Sequence, residues 1–131
     1  MNIKAMPSIP ISVGELVDKI SILKIKSKNI IDENKLINIK NEFMELQKKL
    51  NELNILKSIQ NEIEELDKVN SQLWTIEDDI REKEKRNEFD ESFINLARSV
   101  YKVNDKRAFF KKQINVKTGS LLIEEKSYSQ Y

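Results

Sequence analysis

Ile11-Ser12-Val13-Gly14-Glu15-Leu16 opens the first helix, and reading outward from it decides the fold class. Ser12 followed three residues later by Glu15 is a capping box, in which each side chain satisfies a backbone N–H belonging to the other. Ile11 and Leu16 stand at the two positions of a hydrophobic staple. Pro7 and Pro10 keep the preceding segment extended. Val13, Leu16, Val17, Ile20 and Leu23 then recur at helical spacing, so helix 1 is expected over about 12–28. Glu15 and Lys19 pair on the opposite side at i,i+4.

Downstream, the same periodicity repeats. Asp32 is a suitable N-cap for helix 2, about 32–54. Its Leu36, Ile39, Phe43, Leu46, Leu50 and Leu53 alternate by threes and fours in a narrow, coiled-coil-like seam. The register falters over residues 54–58, where Ser58 can cap helix 3, about 58–86. A turn there would fold helices 2 and 3 into an antiparallel hairpin; the alternative is one long helix with a stutter. Residues 87–90 break the pattern, helix 4 follows over about 91–117, and Gly119 suits a left-handed C-cap. The tail, 118–131, has an apolar start and is expected to dock. The whole reads as one all-α domain over 1–131, a four-helix bundle.

Composition excludes much. The chain has 131 residues, 23 Lys+Arg against 22 Asp+Glu, and neither Cys nor His. Disulfide scaffolds, thiolate nucleophiles, Cys/His zinc sites and Ser-His-Asp triads are thereby removed. Two glycines cannot write a phosphate-binding glycine loop. Balanced charge argues against nucleic acid and anionic membrane as partners, and aromatic residues are not interleaved with basic ones on an outer face. With neither a signal-like N-terminal segment nor a membrane-length apolar run, the expected location is cytoplasmic. Only four of the basic residues, Arg81, Arg86, Arg98 and Arg107, are arginine, the cation whose planar fork binds an anion through two hydrogen bonds.

Polar residues intrude on the inward stripes of helices 3 and 4. Helix 3 mixes Trp74 with Asn70, Glu77 and Arg81, with Asp78 at the margin. Helix 4 carries Tyr101, Asn104, Arg107 and Lys111 among Phe93, Ala97, Val100 and Ala108. Buried charge must be paired, liganded or open to a wet cleft. One inward negative charge, Glu77, against three positive ones suggests a net-positive pocket for an anionic small molecule, a phosphate or carboxylate. Arg81, Arg107 and Lys111 would hold it, and Asn70 and Asn104 would orient it, beside Trp74 and Tyr101. Glu77 or Asp78 would act as acid/base or Mg²⁺ ligand, with Glu15 and Lys19 as outer support. The bland alternative is a polar network that fixes helix register, with Trp74 as core. Glu62, Glu64 and Glu65 read as solvated surface.

The blocks Ile11–Leu23, Asn70-x-x-Leu73-Trp74-x-Ile76-Glu77-Asp78-x-Ile80-Arg81, Phe93–Ala108, Lys111–Asn115 and Gly119–Tyr128 resemble an uncharacterised family of small helical bacterial and phage proteins. Leu73-Trp74-x-x-Glu77-Asp78-x-x-Arg81 also looks like a motif of a second uncharacterised helical family. Both resemblances imply a setting near glycosyltransferases of surface-polysaccharide assembly, and neither implies a reaction. Three functions compete. The first is a pocket for an anionic metabolite, such as a sugar nucleotide. The second is a protein-interaction module, self-associating or docked on a glycosyltransferase through the helix 2 seam and the tail. The third is an all-α nucleoside-triphosphate pyrophosphohydrolase, which needs Glu-x-x-Glu and Glu-x-x-Asp on successive helices. Glu62-x-x-Glu65 meets the first spacing; Glu77-Asp78-Asp79-Ile80 fails the second.

Overall fold

The computed structural model describes residues 1–131 and is all-α. Four helices, α1 (Val13–Asn29), α2 (Glu33–Glu52), α3 (Gln60–Lys85) and α4 (Glu91–Thr118), are joined by short turns, with a 3₁₀ turn over Leu56–Ile59. Ser12 Oγ accepts the Glu15 N–H at 3.1 Å and starts α1 as expected. Only half of the capping box forms, because the Glu15 carboxylate turns away to Lys111 and Lys19. Asp32 and Asp90 cap α2 and α4, accepting from the N–H groups of Lys35 and Phe93, each at 2.9 Å. Ser58 does not cap α3. It lies inside the 3₁₀ turn and donates to the Ile55 carbonyl at 2.7 Å. Gly119 ends α4 at φ 65°, in the left-handed region that its missing Cβ makes accessible.

The packing differs from the expected hairpin of helices 2 and 3. α2 folds back on α1, while α3 and α4 form the closest pair, and α1 also packs on both of these. The physical reason is that α1 is buried on two sides. Leu16, Val17, Ile20 and Leu23 supply one side, while Gly14, Asp18, Ser21 and Ile25, at i, i+4, i+7 and i+11, supply another. A helix with two buried faces belongs in the middle. The core joins Leu16, Val17 and Ile20 to Leu50, Ile59, Leu66 and Ile114, with Phe43 and Leu46 against it. Of the helix 2 seam, Ile39 and Leu50 are buried, Leu36, Phe43 and Leu46 are half-buried and Leu53 is exposed.

α1 crosses the α3–α4 pair from Asn115 on α4 to Asp67 on α3 and leaves the rest of it uncovered. Its 17 residues span about 25 Å, whereas α3 and α4 run to about 39 and 42 Å. Beyond Asn70 on α3 the two helices continue as an arm and turn at residues 86–90. Asn87 there adopts φ 54°, and Lys83 ties the turn to Glu88 and Asp90 at 3.1 and 3.0 Å. From 71 to 110 no residue is buried. At the other end, Glu62 on α3 is buried, not solvated, and meets Lys117 at 2.5 Å. That lysine holds the Glu62 carboxyl below the usual carboxylate range.

Candidate functional site

The polar residues that the structure gathers lie where α1 crosses α3 and α4. Gly14 makes the crossing possible: its N–H donates to Asn115 Oδ1 at 2.6 Å, and a Cβ built on it would sit 2.3 Å from the Lys111 carbonyl oxygen. One turn further along α1, Asp18 is completely buried. Arg107 grips its carboxylate with two donors, Nε to Oδ1 at 3.0 Å and Nη2 to Oδ2. Asn70 Nδ2 adds a bond to Oδ1 at 2.9 Å and another to Ser21 Oγ at 3.1 Å. Lys111 approaches Asp18 Oδ2 at 3.9 Å and makes shorter contacts with Glu15, at 2.6 Å, and with Glu124 of the tail, at 3.1 Å.

The electrostatics follow from this geometry. Burial alone would lower the Lys111 ammonium, but Glu15, Glu124 and Asp18 outweigh it and hold the group above the ordinary lysine range. Asp18 likewise raises Arg107. Lys126 and then Lys111 pull Glu124 down to about 2. Three carboxylates, Glu15, Asp18 and Glu124, thus face Arg107 and Lys111, with Lys19 on Glu15 and Lys126 on Glu124 at the edge. This is a neutralised cluster in which each buried donor has its acceptor, the arrangement that makes buried charge tolerable.

The predicted set divides in two. Asn70, Arg107 and Lys111 converge, with Glu15 in contact and Lys19 3.5 Å from Glu15. Trp74, Glu77, Asp78 and Arg81 lie further out on the arm. Arg81 stands eleven residues past Asn70, about 16 Å along the axis, and pairs only with Glu77, at 3.3 Å, with its side chain 75% exposed. Asn104 and Tyr101 also lie on the arm, Tyr101 edge-on to Tyr131 of the tail. The expected single hollow with one negative and three positive charges is therefore not how these residues are grouped. Asp18, which that grouping omits, is the carboxylate on which Asn70 and Arg107 converge. Of the four arginines, Arg107 makes the two-pronged carboxylate contact the fork allows.

Glu124 and Asp18 were not among the expected site residues. Asp18 carried a signal all the same: it sits in the Gly14, Ser21, Ile25 stripe of α1, which has no long side chain. Glu124 had no such signal, since extended chain has no helical register. The tail does dock, but through charge. It runs back along α4 with Glu124 on Lys111, Glu125 on Lys112 at 3.1 Å, and Tyr131 Oη donating to Asp105 at 2.6 Å, while Leu121 is fully exposed. Between tail and α4 lies a cleft of about 190 Å³ that includes Phe109, Lys111 and Glu124 in its lining. Ligand pockets usually hold about 300–1,000 Å³.

No group of three or more carboxylates is close enough to hold a metal ion, and in the Glu62-x-x-Glu65 pair each residue has its own lysine, Lys117 and Lys68. No helix is long and apolar enough to cross a membrane.

Residues 7–131 match a family of unknown function, DUF6165. The chain belongs to that family. No curated protein and no solved structure matches it. Membership of DUF6165 agrees with the uncharacterised family expected from the sequence blocks and attaches no reaction to the cluster.

The tail clamp has a definite pH dependence. Folding lowers Glu124 from 4.5 to about 2, so its contribution is complete above pH 4.5 and disappears as pH falls toward 2. Amide exchange at residues 120–131 should therefore be slowest near neutrality and accelerate between pH 4.5 and 2, once corrected for intrinsic rates. Glu124→Gln should show the fast behaviour already at pH 7. Equal protection at pH 7 and pH 2.5 would mean that the tail is held by something else.

Proposed function

We propose that this protein is a helical interaction module. Its base, formed by α1, α2 and the inner halves of α3 and α4, is the folding unit. The outer α3–α4 arm is the surface offered to another protein. One observation carries this reading: no residue between 71 and 110 is buried, although the arm presents Leu73, Trp74, Ile80, Leu96, Val100 and Val103 at helical spacing. Two helices alone cannot enclose such stripes, and a third element is what ordinarily completes them. At the base that element is α1; on the arm only the end of the tail packs, Tyr131 against Tyr101 and Asp105 of α4. The polar cluster supports the same view, because its charges are paired within the chain and the Asp18–Arg107 contact fixes where α1 crosses.

A photo-crosslinking residue at Val100, compared with one at Glu64 on the exposed side of the base, tests this in cells. A discrete protein adduct, to any protein including this chain, is expected from Val100 and not from Glu64. Equal labelling at both positions, or none at either, would refute it.

One observation favours a second reading, an anionic metabolite at Lys111. That lysine already receives a carboxylate from the tail. If phosphate, citrate or a nucleotide sugar competes for it, melting should shift upward more in Glu124→Gln than in the wild type. No shift in either protein removes this reading.

A further inference from the structure

We infer that the occupant of the arm is a second copy of this chain, with the two arms antiparallel about a two-fold axis and closing a four-helix bundle. The inference rests on the interaction reading above and names its partner. Four observations point to it.

The first is shape. Past Asn70 the arm uses fifteen residues of α3, about 22 Å, and a nearly equal length of α4, so two arms match end to end. With two helices side by side, each roughly 10 Å across, an arm offers a face of about 450 Å². The pair would then bury about 900 Å² by footprint, below the roughly 1,000 Å² of a stable interface and in the range of weak, transient ones. Area does not set affinity, so the expected reversible dimer in the micromolar range rests on the contacts described next.

The second is self-complementarity along the face that α1 leaves uncovered. Measured outward from Asn70 at the helical rise, Trp74 lies at about 6 Å, Glu77 at about 10 Å and Arg81 at about 16 Å. When one 22 Å arm is reversed on another, the 16 Å position meets the 6 Å position. Arg81 of each copy then lies over Trp74 of the other, a guanidinium on an indole face, twice by symmetry. Within one chain Arg81 has a single weak partner, its own Glu77, and Trp74 is only half-buried.

The third is the small residue Ala97, which with Val100 lies on the same side of α4 as Asn104 and lets a neighbouring helix approach closely. The fourth concerns direction. Glu77 falls near the axis of the antiparallel pair, where Arg81 at 3.3 Å already neutralises it. A parallel pair would instead bring the acid-rich tips together, where Glu82, Glu84, Glu88, Asp90 and Glu91 outnumber Lys83, Lys85 and Arg86.

Because the chain has no cysteine, single-cysteine probes read the geometry directly. Under mild oxidation Glu77→Cys, near the axis, should give a covalent dimer. Asn87→Cys, at the tip and about 22 Å from its mate, should not. Sedimentation equilibrium of the wild type should show a monomer–dimer equilibrium. Arg81→Glu, at an exposed position, should weaken it about tenfold with an unchanged melting temperature. A wild-type chain that stays monomeric to 1 mM (roughly the limit at which a micromolar dimer would be obvious) overturns the inference, as does faster cross-linking at residue 87 than at 77. If Val100 captures another protein in cells while the purified chain is monomeric, the module reading stands and the self-pairing falls.

Discussion

Gly14→Ala should lower the stability of the whole base by about 2–4 kcal/mol, even though alanine is the better helix former. Intrinsic propensity favours the substitution by about 1 kcal/mol. Against that, the new Cβ meets the Lys111 carbonyl oxygen at 2.3 Å and the Lys111 carbonyl carbon and Asn115 Oδ1 at 3.0 Å. Two of those atoms are backbone, so no rotamer change relieves the contact, and α1 must move off α4. Overpacking of this kind costs about 1–3 kcal/mol or more. Lengthening the buried Gly14 N–H to Asn115 bond costs about 1–3 kcal/mol more. Thermal unfolding followed by circular dichroism should show a midpoint roughly 10 °C lower. Gly119→Ala makes the comparison: its Cβ would touch nothing, so the only cost is the left-handed backbone, about 1 kcal/mol. If Gly14→Ala melts at or above the wild-type temperature, the close α1–α4 contact is wrong. The base would then lack its main fixed point.

The same glycine shows what a sequence reveals and what it withholds. Helix existence was legible because periodic apolar residues and the caps at Ser12, Asp32 and Gly119 are local signals, decided within a turn or two of chain. Pairing was not, because which helix lies in the middle depends on faces that meet across 50 to 100 residues. The seam of α2 seemed to ask for α3, whereas the small-residue stripe of α1 carried the answer in a weaker code. Gly14, Asp18 and Ser21 bury a face without being apolar, and hydropathy cannot register them. The site was half legible for the same reason. Asn70, Arg107 and Lys111 were found because they interrupt apolar stripes. Trp74, Glu77 and Arg81 interrupt the same stripe, but α1 crosses from Asn115 on α4 to Asp67 on α3 and does not run out along the arm. An inward-facing position is a buried one only where something stands opposite.

Whether the Asp18–Arg107 pair is scaffold or function has an energetic signature. Arg107→Ala should cost about 3–5 kcal/mol, because it strands a wholly buried carboxylate with Asn70 and a lysine at 3.9 Å. Asp18→Ala should cost less, about 1–3 kcal/mol. The Arg107 side chain is 29% exposed and can turn to water, Lys111 keeps Glu15 and Glu124, and Asn70 keeps Ser21. Replacing both partners by apolar groups of similar volume, Asp18→Leu with Arg107→Met, should recover most of the loss, because no buried charge then lacks its counterpart. Urea unfolding of the wild type, the two alanine variants and their double-alanine combination gives a coupling of about 2 kcal/mol or more. The apolar double variant then separates the two readings. If the pair only fixes where α1 crosses, the apolar version should still associate through its arm with wild-type affinity. If Arg107 receives a ligand, the version that folds should have lost that ligand. A double variant less stable than Arg107→Ala would contradict the geometry itself, since it would mean that the carboxylate was never dependent on the guanidinium.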